Sequence, residues 1–180
     1  MIRLATFLSL IALVATAQVT QPKQTPPANA RSVFAQLSQA ADKARDAGRG
    51  DEAIQLYKRA LDIQPKWKDG LWSLSSLLYE RNQYAESRDW LRKLLGMAPE
   101  LGLGWAMLGM SEFELHDYAR ALDHLERAMT QGMGDQKEIA QSVFYHVAIL
   151  RIRFELFDDS MGLLIAMVRA GEGSEPLVEP

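Results

Sequence analysis

The sequence contains three histidines, and a histidine side chain can bind a metal ion or transfer a proton near neutral pH. His116 lies where a turn is expected, and His124 and His146 lie on two different expected helices. None belongs to a His-Glu-x-x-His pattern, which places two ligands on one face of a helix. We therefore predict structural histidines and no metal site.

Other residues with chemical potential do not form a catalytic pattern. Cysteine is absent, which excludes disulfides, thiolate zinc sites and cysteine nucleophiles. The glycines of Gly132-Met-Gly134 do not follow an expected strand and do not precede Lys-Ser or Lys-Thr, so a phosphate-binding loop is not indicated. Asp158 and Asp159 stand at an expected helix start, where acidic residues act as caps. The sequence predicts neither a catalytic site nor a cofactor.

The elements that carry these residues are expected to be pairs of helices. From 105 to 128, apolar and small residues recur at i, i+3 and i+4 on two stretches, which are separated by a turn at His116-Asp117. Two such stripes on antiparallel helices bury each other, and the small Gly109 and Ala121 allow the backbones to approach closely. The striped positions are Trp105, Leu108, Gly109, Ala121, Leu125 and Ala128.

The same pattern recurs along the chain. A shift of 34 residues brings equivalent positions into register three times: Ala53, Ser87 and Ala121; Tyr57, Leu91 and Leu125; and Leu37, Leu71 and Trp105. Pro65 and Pro99 follow the second helix of the first two units, where proline cannot continue a helix.

A 34-residue period with Trp-x-x-Leu-Gly, then alanine, an aromatic residue or leucine, and alanine resembles the tetratricopeptide repeat family. The resemblance covers residues 32–170. It implies an all-α fold, a right-handed superhelical solenoid of antiparallel helix pairs, with units at about 32–67, 68–101, 102–135 and 136–170.

Two units depart from the pattern. Gly50 stands where the second and third units have Tyr84 and Tyr118, so we expect the first unit to be less tightly packed. In the fourth unit, Phe144 is at the position equivalent to Trp105 of the third unit, but 39 residues later instead of 34. Asp135 and Glu138, at the spacing of a capping box, predict that this unit's first helix starts early and ends at Glu155.

The two ends of the chain differ from the array. Residues 1–17 have the layout of a secretory signal peptide: Arg3, an apolar run from Leu4 to Val14, then Ala15-Thr16-Ala17. This run is shorter than the roughly 20 residues of a membrane span. The proline-rich residues 18–31 predict a disordered linker, and residues 171–180 a flexible tail. We expect an exported protein, periplasmic or secreted, with membrane attachment only if residues 1–17 are not cleaved.

Composition and the family resemblance together indicate the kind of partner. The net charge of −3 argues against nucleic acid, which requires a basic face, and favours a protein or peptide. In this family the first helix of each unit lines a concave groove that holds peptides. Here the positions expected to face it are Ser38, Asp42, Arg45, Trp72, Ser76, Tyr79, Ala106, Met110, Phe113, Tyr145, Ile149 and Ile152.

From this set we predict a partner-binding site at Trp72, Ser76, Tyr79, Met110, Phe113, Tyr145 and Ile149. Aromatic and methionine side chains suit an apolar or amphipathic partner. Phe113 and Ile152 could equally belong to the core between units. Some family members bind a C-terminal carboxylate through lysines and asparagines on this face. Ser38, Asp42 and Met110 are not such donors, so that kind of clamp is not expected.

The C-terminal helix is apolar almost all round from Met161 to Val168, whereas the last helix of an array normally presents a polar face to water. We predict an exposed apolar patch at Met161, Ile165 and Val168. It would be covered by a partner, by self-association or by sequence outside this chain.

The sequence thus predicts an exported, non-catalytic interaction module that binds a peptide or protein segment in its concave groove. Two alternatives stay open. One is a structural or assembly subunit of an envelope complex, anchored by residues 1–17. The other is a helical accessory domain of a longer protein.

Overall fold

The computed structural model describes residues 28–155, 161–162, 164–166 and 168–169, and within them the chain is helical, without strands. None of the described helices has the length and hydrophobicity of a membrane span. Residues 1–27 and 171–180, with the predicted signal peptide and tail, lie outside the described part. The helices are α1 (Ala28–Asp46), α2 (Gly50–Ile63), α3 (Lys68–Glu80), α4 (Tyr84–Leu95), α5 (Gly102–Glu114), α6 (Tyr118–Gln131) and α7 (Lys137–Arg153).

The first six helices form three antiparallel pairs. α1 packs on α2, α3 on α4 and α5 on α6, and a three-residue turn joins the helices of each pair. Successive pairs stack through α2 with α3, α4 with α5, and α6 with α7. The chain therefore has the predicted all-α architecture of stacked helix pairs.

The three turns share one backbone conformation at the repeat spacing. Gly48, Asn82 and His116 have φ of 73°, 59° and 61°, in the left-handed region. In each turn the next residue's N–H donates to the carbonyl five residues earlier, at 2.8–2.9 Å, which is the Schellman arrangement that ends a helix. Glu155, with φ of 63°, stands at the displaced position expected for the fourth unit.

The predicted core positions are buried. Ala121, Leu125 and Ala128 are fully buried against α5. A Cβ atom on Gly109 would lie 2.6 Å from Leu125 Cγ, closer than real Cβ contacts occur. The close approach of α5 and α6 therefore depends on a residue without a side chain at position 109, as predicted.

The missing aromatic residue at Gly50 is compensated by the next unit. Gly50 is buried, and a Cβ atom there would lie 2.6 Å from Arg81 Nη2. The guanidinium of Arg81 therefore covers Gly50, and it also pairs with Asp51 in the first turn of α2. Arg81 occupies space at this end of the first unit, which was predicted to be less tightly packed.

Two helix starts differ from prediction. α1 begins at Ala28, so residues 28–31 belong to the helix and not to the linker. Alanine is the strongest helix former, and Asn29 Oδ1 accepts the N–H of Ala30 at 2.7 Å. The predicted capping box at Asp135 is wrong. α7 is capped by Gln136, without a side-chain hydrogen bond, and it ends at Arg153 instead of Glu155.

The array has two different faces. The first helices of the second, third and fourth units touch each other, α3 with α5 and α5 with α7, whereas successive second helices approach less closely. The first helices therefore line the inner, concave side of the stack, and the second helices form the outer side.

Candidate functional site

The predicted groove residues lie on the first helices, but they are not equally accessible. Arg45 is exposed, and eight of them are half-buried at the surface: Ser38, Asp42, Trp72, Ser76, Tyr79, Met110, Phe113 and Ile149. Tyr145 is 54% exposed and Ile152 is also exposed. Ala106, which was expected to face the groove, is 1% exposed and belongs to the core, because α5 packs against neighbours on both sides.

Trp72 occupies the central place on this face, because it lines two adjacent cavities. The turn-side cavity has a volume of about 430 Å³ and lies beside the turn between α1 and α2. The loop-side cavity, of about 530 Å³, lies beside the loop between α4 and α5. Ser73 also lines both cavities, so the turn of α3 that carries Trp72 and Ser73 lies between the two cavities. Within the described residues, the indole N–H of Trp72 makes no hydrogen bond and is available to a ligand.

The two cavities differ in chemistry. The turn-side cavity is lined by polar and charged groups, among them Arg45, Ser73, Ser76, Glu80 and Arg81. The loop-side cavity is lined mainly by apolar side chains, among them Leu94, Ala98, Leu101 and Leu103, with Lys68, Asp69 and Glu100 at its edge. A ligand crossing Trp72 would meet a polar surface on one side and an apolar one on the other.

A hydrogen-bonded network supports the turn-side cavity. Tyr57 Oη donates to Asp42 at 2.6 Å and accepts from Arg45 Nη1 at 3.0 Å. Arg45 Nη1 also lies 3.2 Å from the hydroxyl of Ser73, so the network joins α1, α2 and α3. Burial, reinforced by the hydrogen bond to Asp42, raises the pKa of Tyr57 to about 12. The phenol is therefore neutral at physiological pH and serves as a fixed donor.

Two methionine contacts join the first helices across units. Ser76 Oγ lies 3.9 Å from Met107 Sδ, and Ser142 Oγ lies 3.8 Å from Met110 Sδ. Ser76 also donates to the carbonyl of Trp72 at 3.0 Å. Met110 therefore fills the space between α5 and α7 while remaining partly accessible.

Phe113 and Tyr79 are held by other aromatic rings. The Phe113 ring lies 4.7 Å from that of His146 and 5.5 Å from that of Tyr118, both edge to face. Tyr79 packs edge to face on Tyr84 at 5.2 Å, and burial raises the pKa of Tyr79. Phe113 was expected either to face the groove or to pack in the core between units. It packs between units and also keeps part of its surface exposed.

The three histidines have partners within the protein. Nδ1 of His116 lies 2.9 Å from the Tyr118 hydroxyl, and Nδ1 of His146 lies 2.6 Å from the Ser142 carbonyl. Nδ1 of His124 lies 2.5 Å from Glu112 Oε2. Among the described residues, no group of three or more side chains is arranged to hold a metal ion.

Sequence reasoning missed the ion cluster around Glu112. This side chain is fully buried, and Arg92 Nη2 donates to its Oε1 at 2.8 Å. A signal was present, because the 34-residue register places Glu112 at the position of Ala44 and Leu78, which are buried and apolar.

At the C-terminal end, Met161, Ile165 and Val168 are 59%, 45% and 59% exposed. Together with Leu164 and Arg169 they line a shallow cavity of about 400 Å³. Their side chains thus lie at the surface in the described part of the chain. What covers them remains a prediction.

Comparison with known proteins identifies the repeats. A tetratricopeptide repeat model matches residues 38–101. No curated protein sequence matches the chain. MamA of Desulfovibrio magneticus RS-1 is similar in structure, with a TM-score of 0.67 at 13% identity over 79% of this chain and 78% of that one.

Two further solved structures are similar to this chain and are described as peptide-binding. YrrB, described as a tetratricopeptide repeat protein with an unusual peptide-binding site, has a TM-score of 0.66 at 18% identity, covering 77% of this chain and 69% of that one. The first repeat domain of Spaghetti (RPAP3), bound to an HSP90 peptide, has a TM-score of 0.52 at 17% identity, covering 62% and 94%. At these identities the likeness concerns the fold. Residues 38–101 match the tetratricopeptide repeat model, and the stacked helix pairs of the described chain have the fold of tetratricopeptide repeat proteins.

Proposed function

We propose that this protein is a non-catalytic interaction module that binds a peptide segment on its concave face, with Trp72 as the central anchor. The observation that carries the proposal is the position of Trp72 between two cavities, with its indole N–H available within the described chain. Half-buried tryptophan in a pocket is the kind of side chain that dominates binding energy at protein interfaces.

The chemistry of the two cavities suggests the form of the peptide. The loop-side cavity, with its leucine and alanine lining, suits an apolar side chain. The turn-side cavity contains Arg45, Glu80 and Arg81, and suits a polar or charged one. We infer an amphipathic segment whose backbone crosses α3 at Trp72. The peptide-binding description of YrrB and the peptide bound to the RPAP3 domain support this class of ligand by analogy.

The test begins with peptides selected from a random display library on the array starting at Gln18. Their affinity is then measured by fluorescence anisotropy for the parent protein and for two variants, Trp72→Ala and Trp90→Ala. Trp90 is the matched control, because it is also a half-buried tryptophan packed against the same core, but it lies on the outer helix α4.

We expect Trp72→Ala to weaken binding at least about tenfold, since truncating an anchor removes roughly 1.4 kcal/mol or more. Trp90→Ala should leave affinity within about twofold of the parent. Equal losses in both variants, or no loss in Trp72→Ala, would contradict the proposal.

We also propose that the protein is exported, on the basis of the signal-peptide layout of residues 1–17. Mass spectrometry of the protein recovered from the expressing cell should find a mature N-terminus at Gln18. A retained Met1 in a membrane fraction would instead favour the signal-anchored assembly subunit, in which the groove has a secondary role.

A further inference from the structure

A carboxylate occupies a position that the scaffold would fill with an apolar side chain. Glu112 stands in register with Ala44 and Leu78, and all three are fully buried. Burying a carboxylate is unfavourable unless it is paired, and an ion pair in such a place usually stabilises a fold no better than well-packed apolar residues. The departure at Glu112 is therefore poorly explained by the needs of the core.

Glu112 holds two basic side chains in fixed positions. Its Oε1 accepts from Arg92 of α4 at 2.8 Å, and its Oε2 lies 2.5 Å from Nδ1 of His124 of α6. The side chains of Arg92 and His124 are 41% and 17% exposed, so each keeps a surface open to solvent. The buried carboxylate of Glu112 therefore fixes the side chains of Arg92 and His124 from the core side, and part of each side chain remains accessible to solvent.

A third basic group completes the arrangement. The guanidinium of Arg127 lies over the ring of Trp105, with its Cζ 4.2 Å from the ring centroid, and the ring of His124 packs against the same indole at 5.2 Å. Trp105 is itself fixed by a hydrogen bond from its Nε1 to the carbonyl of Pro99 at 2.8 Å. Within the described chain, Arg127 forms no ion pair.

These three basic residues line one cavity of about 440 Å³ on the outer side of the array, between α4 and α6. Pro99 and Trp105 also line it, and no carboxylate does so among the described residues. Two exposed carboxylates outside this lining lie near the basic groups: Asp89 Oδ1 is 3.9 Å from Arg92 Nη1, and Asp123 Oδ2 is 3.8 Å from His124 Nε2.

We propose that this outer cavity is a binding site for a carboxylate group, contributed by an acidic peptide side chain or by a small free carboxylate. Arg127 is the principal contact, because its guanidinium is held in place by stacking and is not neutralised by a neighbour. Arg92 and His124 complete the site from α4 and α6. Guanidinium groups favour carboxylates because two parallel N–H donors match two oxygens.

This site is separate from the groove proposed above. Its three basic residues lie on the second helices α4 and α6, beside Pro99, Trp105 and Leu108, whereas the groove centres on Trp72 of α3. Binding at the outer cavity therefore does not depend on the proposed groove function, and the two can be tested independently.

The test compares Arg127→Gln with Arg59→Gln. Arg59 is an exposed arginine at the same register position on α2, so both variants remove one positive charge from the same place in a unit. The probes are acetyl-tetraglutamate amide, citrate and, as the neutral control, acetyl-tetraglutamine amide. Binding is followed by two-dimensional NMR through the indole N–H of Trp105 and the ring of His124.

We expect tetraglutamate to shift the Trp105 and His124 signals, and Arg127→Gln to weaken that binding at least about fivefold. Arg59→Gln should change it less than about twofold. If citrate binds more tightly than tetraglutamate, the site takes a small free carboxylate. If tetraglutamate binds more tightly than citrate, the site takes an acidic protein segment.

Three results would overturn the proposal: no shift at Trp105 or His124 with either acidic probe, an equal shift with tetraglutamine, or equal weakening in the two variants. Arg127 is exposed, so loss of folding is not expected, and circular dichroism of each variant checks this. Arg127→Lys provides a second variant. It keeps the charge but not the paired donors, and it should bind more weakly than the parent.

Discussion

At the scale of single residues, Glu112 is the clearest case of a side chain whose identity the fold does not demand. Glu112→Gln keeps its size but replaces two charge-assisted contacts, to Arg92 and His124, with weaker ones. We expect the free energy of unfolding to fall by about 2 kcal/mol, measured by urea denaturation. Glu114→Gln, an exposed change on the same helix, should alter stability by less than about 0.5 kcal/mol. Equal effects would contradict the role given to Glu112.

Tyr57 links folding to alkaline pH. Its pKa is raised from 10.0 to about 12 in the folded protein, mainly by burial. The unfolded chain therefore loses the phenolic proton first, and the stabilisation from neutral Tyr57 is complete below pH 10 and disappears as pH rises toward 12. In Tyr57→Phe the decline of unfolding free energy over this interval should be shallower. Tyr145→Phe, at an exposed tyrosine, serves as control, and a decline as steep as the parent's in Tyr57→Phe would refute this assignment.

The role of a residue was predictable from the sequence where its type matches the repeat pattern, and less so where its type departs from that pattern. Trp105, Leu125 and Ala128 follow directly from the period. Glu112 was overlooked, although it stands at the repeat position that holds buried apolar residues in the first two units. The partners of such a residue cannot be derived from spacing, because Arg92 and His124 come from two other helices.

At the scale of elements, the contact between α5 and α6 depends on Gly109. A Cβ atom there would lie 2.6 Å from Leu125 Cγ and 3.0 Å from the Leu125 backbone nitrogen. We expect Gly109→Ala to lower the unfolding free energy by about 2 kcal/mol through overpacking, despite the better helix propensity of alanine. Gly96→Ala is the control, since its Cβ would have no contact closer than 3.4 Å. A Gly109→Ala protein as stable as Gly96→Ala would show that the helices can separate without loss.

Helix positions were predictable from the sequence because apolar periodicity and proline mark them over many residues. The errors concern ends, where single local interactions decide. α1 begins at Ala28 because alanines extend it, and α7 is capped by Gln136 instead of the capping box predicted at Asp135. The left-handed residue His116 was expected only as part of a turn, since histidine does not by itself specify that conformation.

At the scale of the whole molecule, the apolar residues at the C-terminal end should affect behaviour in solution. Met161, Ile165 and Val168 are exposed, which favours binding of a hydrophobic dye and self-association. We expect the triple variant Met161→Gln, Ile165→Gln and Val168→Thr to bind less dye and to sediment as a smaller species. Val33→Thr, at an exposed apolar residue of α1, should change neither property. A parent protein that is strictly monomeric and binds no dye would contradict this expectation.

The cavities could not be derived from the sequence, because they depend on how neighbouring units pack. Trp72, Ser76 and Tyr79 were predicted to face the groove from their positions on α3. That Trp72 separates a polar cavity from an apolar one depends on Arg81 from the following turn and on Leu101 and Leu103 at the start of α5. Ala106 shows the converse, since packing on both sides of α5 buries it.

We propose above all that Trp72 anchors a peptide on the concave face. The four tryptophans provide separate probes, because Trp72 lies in the groove, Trp90 on the outer helix α4, Trp105 at the outer cavity and Trp67 beside the first-unit core. The decisive measurement is a titration of the nitrogen-15-labelled protein with a selected peptide, followed through the indole N–H signals. We expect a saturable shift of the Trp72 signal, while the Trp90 signal stays in place. A peptide that binds without moving the Trp72 signal would contradict it.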